Sequence, residues 1–222
     1  PRFGPAQTLA SAEASPVQTL PGNHAFIEAP WDLQFSFDVD AVTGAAGNAG
    51  SEFDGTSYYT TRWASNLIHE IDLTGTLVRE FSIAGVTGLR DLAYDGAFFY
   101  GGAAANTIFV MDFATNTLLG TISTPVAVRN IAYDEGADGF WCGNWGDPPT
   151  LVDRSGSTIA SLTTGLAGQY GSAYDGWSDG GPYLWVFDQG AGAGTPQLVH
   201  QYDLNTLTAT GFSYDVASDF PA

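Results

Sequence analysis

The sequence predicts an all-β protein assembled from repeated units of similar length. An aromatic residue, then Asp, usually Gly, and then an aromatic strand occur four times, around Asp54, Asp95, Asp134 and Asp175. These Asp residues are separated by 41, 39 and 41 residues. Repeats of about 40 residues built from short strands are typical of β-propeller blades or solenoid turns. No segment keeps a helical period over three turns, so we expect antiparallel strands joined by hairpins.

Each repeat divides into four strands, and the second repeat shows the division best. The pattern predicts strands over 89–94, 97–101, 106–113 and 117–122, with a hairpin turn at Asp95–Gly96. Aromatic residues occupy both faces of these strands, as expected when radially arranged blades pack against neighbours on both sides. The sequence therefore predicts a β-propeller of four-stranded antiparallel blades.

The number of blades is expected to be four to five. The approximate blades are 49–85, 86–125, 126–166 and 167–210, and 211–222 resembles the start of another. The chain is then either a compact small propeller or a piece of a larger one.

The N-terminal part divides into a linker and a candidate closing strand. Residues 1–30 are rich in small and polar residues and are predicted to be a linker or strap, so that 31–222 hold the propeller repeats. In 31–42, Leu33, Phe35, Phe37 and Val39 alternate with other residues and share one face of a predicted strand. We expect this strand to close the ring by docking near residues 197–215. The alternative is that it docks on a neighbouring chain, in which case the protein assembles.

The composition excludes several classes of partner. The chain has 24 acidic residues against six basic ones, all Arg, and a net charge of −18. Such a surface repels nucleic acids and anionic membranes, which both require a cationic patch. No apolar stretch is long enough for membrane insertion. Because the chain begins at Pro1 without Met, we expect it to be either processed or trimmed from a longer protein. The acidic surface favours a protein that is secreted or displayed at the cell surface.

One segment carries a family resemblance. Residues 106–122 read NTIFVMDFATNTLLGTI, and 66–72 and 197–203 are weaker copies. This segment resembles a repeat of the YVTN family of bacterial surface β-propellers, and the resemblance covers roughly residues 50–210. It implies a propeller fold and an extracellular location. It does not define an activity, because propellers of this kind host binding, scaffolding and catalysis alike.

The repeated acidic residues are expected to be structural. Asp54, Asp95 and Asp175 precede Gly in hairpin turns, where Asp tolerates left-handed backbone angles. A second set ends the third strand of each repeat, and we expect its carboxylates to bond to the turn amides that follow. This second set is Asp72, Asp112, Asp153 and Asp203.

The candidate binding site lies at one end of the propeller, which we call the mouth. Loops between strands two and three, and links from strand four to the next blade, emerge at the same end. Trp and Arg beside Asn and Asp suit the stacking and hydrogen bonding that sugars require. Alternatively, the repeat-equivalent Arg90 and Arg129 pair with carboxylates between blades. The predicted ligand-binding residues are Arg62, Trp63, Asn66, Arg90, Asp91, Asn106, Arg129, Asn130, Asn144, Trp145, Asp147, Gln169 and Tyr170.

Catalytic and metal chemistry have weaker support in the sequence. His24, His69 and His200 are scattered, and no nucleophile elbow or zinc-binding His pair is present. No catalytic residue and no cofactor is assigned. Asp134 and Asp138 are a weak candidate site for Ca²⁺, because their loop lacks the usual calcium-ligand spacing.

The sequence thus favours a non-catalytic protein that binds or scaffolds at the bacterial cell surface, with a glycan or a protein as ligand. One alternative is a self-assembling subunit of a surface layer or filament, a homo-oligomer formed through open strand edges. Another is a metal-dependent propeller lyase or lactonase with Glu52, Asp91 and Asn130 near the axis.

Overall fold

Sixteen strands form four separate four-stranded sheets in the described part of the chain. The computed structural model describes residues 33, 35–190 and 196–219. Every sheet belongs to one compact unit, which begins at Phe35. Among the described residues, no helix is long and apolar enough to cross a membrane.

Each sheet is one blade, and its strand order follows the sequence. Blade 1 contains β1 (Asn48–Phe53), β2 (Tyr58–Arg62), β3 (Ile68–Ile71) and β4 (Leu77–Phe81). Blade 2 contains β5 (Asp91–Tyr94), β6 (Phe99–Gly102), β7 (Ala105–Asp112) and β8 (Thr117–Val128). Blade 3 contains β9 (Asn130–Asp134), β10 (Gly139–Gly143), β11 (Thr150–Asp153) and β12 (Thr158–Ser161). Blade 4 contains β13 (Gln169–Asp175), β14 (Tyr183–Asp188), β15 (Leu198–Asp203) and β16 (Thr208–Asp215).

The blades are arranged as a four-bladed β-propeller. Neighbouring strands pair antiparallel within every blade. The first strands line the axis, where β1 packs beside β5, β5 beside β9, and β9 beside β13. The predicted fold class is confirmed, with four blades.

Adjacent aromatic residues serve two different interfaces, because successive side chains of a strand point to opposite faces. Phe99 belongs to the apolar cluster between blades 1 and 2, and its neighbour Tyr100 to the cluster between blades 2 and 3. Phe140 and Trp141 divide in the same way between the second and third clusters. Runs of apolar residues are therefore explained by burial on both faces of a blade.

In the first hairpin of each blade, one Asp carboxylate bonds both to turn amides and to an aromatic side chain on the second strand. In blade 2, Asp95 Oδ1 accepts the amides of Ala97 and Phe98 at 2.9 and 2.8 Å, and Oδ2 accepts the Tyr100 hydroxyl at 2.8 Å. The same arrangement joins Asp54 to Tyr59, Asp134 to Trp141, and Asp175 to Trp185. The structural role predicted for Asp54, Asp95 and Asp175 is confirmed, but it rests on hydrogen bonds: the left-handed angles in these turns belong to Gly55 and Gly96 and not to the Asp residues.

The acidic residues that end the third strands also bond to turn amides. Asp72 Oδ1 accepts the amides of Thr74 and Thr76 at 2.8 and 2.9 Å. Asp112, Asp153 and Asp203 accept the amide two residues further along the chain. This prediction is confirmed as well.

The prediction that residues 31–42 form a closing strand is wrong for those of them that the structure describes. Residues 35–38 form no strand, and Val39–Thr43 form a one-turn helix, α1. Asp38 caps this helix by accepting the amide of Ala41 at 2.9 Å, which ends the extended conformation. Phe35 and Phe37 pack against Tyr58 of blade 1, with ring centroids 5.9 and 6.0 Å away, and not against 197–215.

The predicted start of a further repeat at 211–222 was also wrong. Residues 211–215 belong to β16, the last strand of blade 4, where Ser213 pairs with His200. The register shifts along β15 and β16, and Gly211 has a φ of 88°. This irregularity looks like a turn in the sequence, although the strand continues beyond it. The predicted linker at 1–30 lies outside the described residues, as do 220–222.

We expect Asp134→Ala to lower the free energy of unfolding by about 2 kcal/mol, because the buried Trp141 Nε1 would lose its acceptor. A matched control is Asp203→Ala, which also removes a carboxylate from a turn but leaves no buried donor unpaired. It is expected to cost less than about 1 kcal/mol. Urea denaturation of both variants measures the difference, and equal losses would contradict the role given to Asp134.

Candidate functional site

The two sets of loops meet at one end of the propeller, as the sequence predicted. In each blade, a backbone hydrogen bond joins a residue just before the first strand to a residue at the end of the second strand or just after it. Arg90 donates its amide to the carbonyl of Gly102, and Arg129 to that of Gly143, both at 2.8 Å. Equivalent bonds join 63 to 47 and 189 to 168. Side chains on both sets of loops therefore share the mouth.

Arg129 is the most enclosed cation of the mouth. A single residue separates β8 from β9, and that residue is Arg129. Its guanidinium lies 4.0 Å from the ring centroid of Trp145 and 5.5 Å from that of Tyr170. Its Nε donates to Asn144 Oδ1 at 2.9 Å, while Nη1 is buried without a hydrogen-bond partner. Only 7% of the residue is exposed.

The aromatic residues around Arg129 keep an accessible surface. Trp145 is 39% exposed and meets Tyr170 edge-on, with ring centroids 6.0 Å apart. Gln169 is buried, and its Nε2 donates to the carbonyls of Trp145 and Asp147 at 2.7 and 2.9 Å. The loop that carries Trp145 is thereby fixed to the start of β13.

Arg90 and Trp63 form a second stack at the mouth. The Arg90 guanidinium lies 5.2 Å from the ring centroid of Trp63, which is 46% exposed. The Nε of Arg90 is buried and has no hydrogen-bond partner. Burial lowers the pKa of Arg129, and the charge of Arg90 lowers it further.

The carboxylate pairing that the sequence left open for Arg90 and Arg129 is not what the described residues show. Neither forms an ion pair there, and Arg62 forms none either. Carboxylates are paired instead by Arg79, which bonds Glu70 at 2.6 Å, and by Arg154, which bonds Asp95 at 2.9 Å. These two also bridge blades, since Arg79 reaches the carbonyl of Phe113 and Arg154 leaves blade 3 for Asp95.

Other predicted residues lie apart from the two stacks. Arg62 donates to the carbonyl of Ala46 at 3.3 Å, Asn66 is exposed, and Asn106 bonds the carbonyl of Thr124 at 3.2 Å. Within the described residues, no ring contact or side-chain hydrogen bond joins any of these three to Trp63 or Arg129.

Asp91 and Asn130 lie inside the propeller rather than on the mouth surface. Asp91 is buried, and its Oδ2 accepts the amides of Ile131 and Ser172 at 2.9 and 3.3 Å, which ties blade 2 to blades 3 and 4. Burial raises the pKa of the Asp91 carboxyl well above its usual range. Asn130 is 1% exposed, and neither of its side-chain polar atoms has a partner.

A cavity of about 350 Å³ opens beside Asp91, between the axial strands of blades 1 and 4. Ser51, Asp91, Tyr170, Ser172, Trp185 and Phe187 are among its lining residues. Tyr170 also contacts Trp145 and Arg129, so this residue belongs to both the cavity and the mouth. The sequence analysis missed Ser172, Trp185 and Phe187, because nothing distinguishes them from other strand residues.

The two candidate calcium ligands have protein partners. Asp134 accepts the amide of Ala137 at 3.0 Å and the Trp141 indole N–H at 3.0 Å. Asp138 pairs with Arg154 at 2.7 Å and accepts the Tyr133 hydroxyl. No group of three or more His, Cys, Asp or Glu among the described residues is placed to hold a metal. Ca²⁺ binding at Asp134 and Asp138 stays an untested prediction.

Comparison with known proteins identifies the fold and no family. No protein-family model matches the sequence, and no curated protein matches it. Among solved structures, the chain is similar to Myxococcus xanthus glutaminyl cyclase, with a TM-score of 0.60 and 14% identity over 78% of this chain and 72% of that one. It is also similar to Kuenenia stuttgartiensis hydrazine synthase, with a TM-score of 0.55 and 16% identity over 77% of this chain. The match spans about half of the hydrazine synthase chain, 49%. At these identities the similarity shows a shared β-propeller architecture alone.

We expect Glu52→Gln to change how stability depends on pH. Burial raises the pKa of Glu52 from 4.5 to about 7 in the folded protein. Between these values the folded chain binds more protons than the unfolded chain, so this group makes stability fall as pH rises. The Gln variant should melt close to the wild type at pH 5 and at a higher temperature at pH 8.

The control is Glu135→Gln, which removes the same charge from an exposed position. Thermal melts from pH 4.5 to 8.5 provide the measurement. A Glu52→Gln advantage at pH 8 no larger than that of the control would contradict the prediction.

Proposed function

We propose that this propeller is a non-catalytic binding protein that holds a glycan at its mouth, at the bacterial cell surface. The observation that carries the proposal is the stack of Trp145, Arg129 and Tyr170 at the mouth. Exposed aromatic faces beside fixed polar groups bind sugars, because the apolar face of a sugar ring packs on the aromatic ring while its hydroxyls form hydrogen bonds.

The mouth is held in place before any ligand arrives. Gln169 fixes the loop of Trp145, and the Arg129 amide bonds to the end of β10. A site that is already ordered loses little conformational entropy on binding. The exposed fractions of Trp63 and Trp145 leave room for a ligand on both stacks.

The contacts of Asp91, which lies near the axis, favour a binding function over the alternative of a metal-dependent lyase or lactonase. Asp91 already accepts two backbone amides, which gives its carboxyl a role in joining three blades. The resemblance of residues 106–122 to YVTN repeats supports the location at the cell surface.

Replacement of Trp63 or Trp145 by Ala should weaken glycan binding about 10-fold or more, as expected for a central aromatic contact. Binding is measured on a glycan array and then by calorimetry with the glycan bound most tightly. The control is Trp177→Ala, since Trp177 is 85% exposed but lies in the β13–β14 turn at the opposite end.

The control should bind as the wild type does. An equal loss in Trp177→Ala would move the site away from the mouth, and an array on which the wild type binds no glycan would refute the proposal.

A further inference from the structure

The mouth holds three Arg residues that form no ion pair with the described residues. The chain carries 24 acidic residues and six Arg. Three of those six, Arg62, Arg90 and Arg129, are at the mouth, and the described residues offer them no ion pair. In a protein with so many carboxylates, an Arg residue would be expected to lie next to one by chance.

The nearest acids in the sequence form no ion pair with these cations. Asp91 follows Arg90, and its carboxylate accepts the amides of Ile131 and Ser172. Asp147 lies in the Trp145 loop, and its backbone carbonyl accepts a hydrogen bond from Gln169. The cations of the mouth are thus left for another partner.

Arg129 is the clearest example of a buried and unpaired cation at the mouth. The residue is 7% exposed, and its buried Nη1 has no hydrogen-bond partner. Buried charges are normally paired, because removing an ion from water without compensation is unfavourable. Arg90 adds a second cation with a buried unpartnered Nε, and its charge repels that of Arg129.

From these unpaired cations we infer that the ligand of the mouth is an acidic glycan, whose carboxylate binds Arg90 and Arg129 while its sugar rings pack on Trp63 and Trp145. The inference rests on the proposed glycan-binding function and specifies its ligand class. Guanidinium groups bind carboxylates through two parallel charge-assisted hydrogen bonds. A carboxylate bound at the accessible edges of the two guanidinium groups would compensate charges that the described residues leave unpaired.

The net charge of the chain restricts the kind of acidic glycan. A charge of −18 repels polyanions over distances near the Debye length, about 8 Å at physiological salt. A glycan with one isolated sugar acid experiences less repulsion than a polyuronate and still satisfies both Arg residues. The ligand class is therefore a mostly neutral glycan that carries single acidic sugars.

The test uses matched pairs of oligosaccharides that differ by one carboxylate. Suitable probes are a glucose oligomer with and without a terminal glucuronic acid, and sialylated glycans with their asialo forms. The wild type should bind the acidic member about 10-fold or more tightly, as expected for charge-assisted hydrogen bonds. Arg90→Gln and Arg129→Gln should each remove that preference, so that the variant binds the acidic and the neutral member with about equal affinity.

The outcomes separate this inference from the proposed function. Equal affinity for both members of every pair, or preference for the neutral one, would overturn the inference and leave glycan binding intact. No binding to either member by the wild type would overturn both. Arg90→Gln decides the matter if a thermal melt shows that Arg129→Gln does not fold, since Arg90 is less enclosed.

Discussion

The propeller depends on a carboxylate that joins a turn to an interface. In every blade, the Asp of the first hairpin uses Oδ1 for turn amides and Oδ2 for the polar hydrogen of an aromatic side chain on the second strand. That aromatic side chain faces the next blade. Tyr59 packs toward blade 2, Tyr100 toward blade 3 and Trp141 toward blade 4, while Trp185 lines the cavity shared with blade 1.

This connection couples the local chain reversal to the packing between blades. A Tyr or Trp buried between sheets requires a partner for its O–H or N–H, and the turn requires an acceptor for its amides. One side chain satisfies both requirements, so a change at the Asp affects the hairpin and the interface together. The same carboxylate also anchors Arg154, which reaches from blade 3 to Asp95 in blade 2.

The blades could be predicted from the sequence because their signals are local and repeated. The Asp-containing turns and the double-sided aromatic strands recur at a nearly constant interval. The errors arose where a single residue changes the backbone: the cap of Asp38 ends an alternating pattern, and Gly211 interrupts a strand that continues. Neither effect is apparent in a hydrophobic pattern.

The candidate site could be predicted only in part. Chain reversals in a four-stranded blade place two sets of loops at one end, and this follows from topology. Which side chains meet there depends on how neighbouring blades approach each other. Arg79 and Arg154 pair with carboxylates, whereas Arg90 and Arg129 stack on Trp63 and Trp145. The cavity beside Asp91 likewise arises between blades 1 and 4, which are far apart along the chain.

The position of Arg129 between two strands has a consequence for binding kinetics. Because β8 ends at Val128 and β9 begins at Asn130, this residue has no flexible loop in which to move. A ligand that reaches the mouth therefore finds the guanidinium already oriented by Trp145 and Asn144. Association should occur in one step, at a rate set by diffusion and orientation rather than by a preceding loop closure. Differences in affinity among ligands would then be expressed mainly in their dissociation rates.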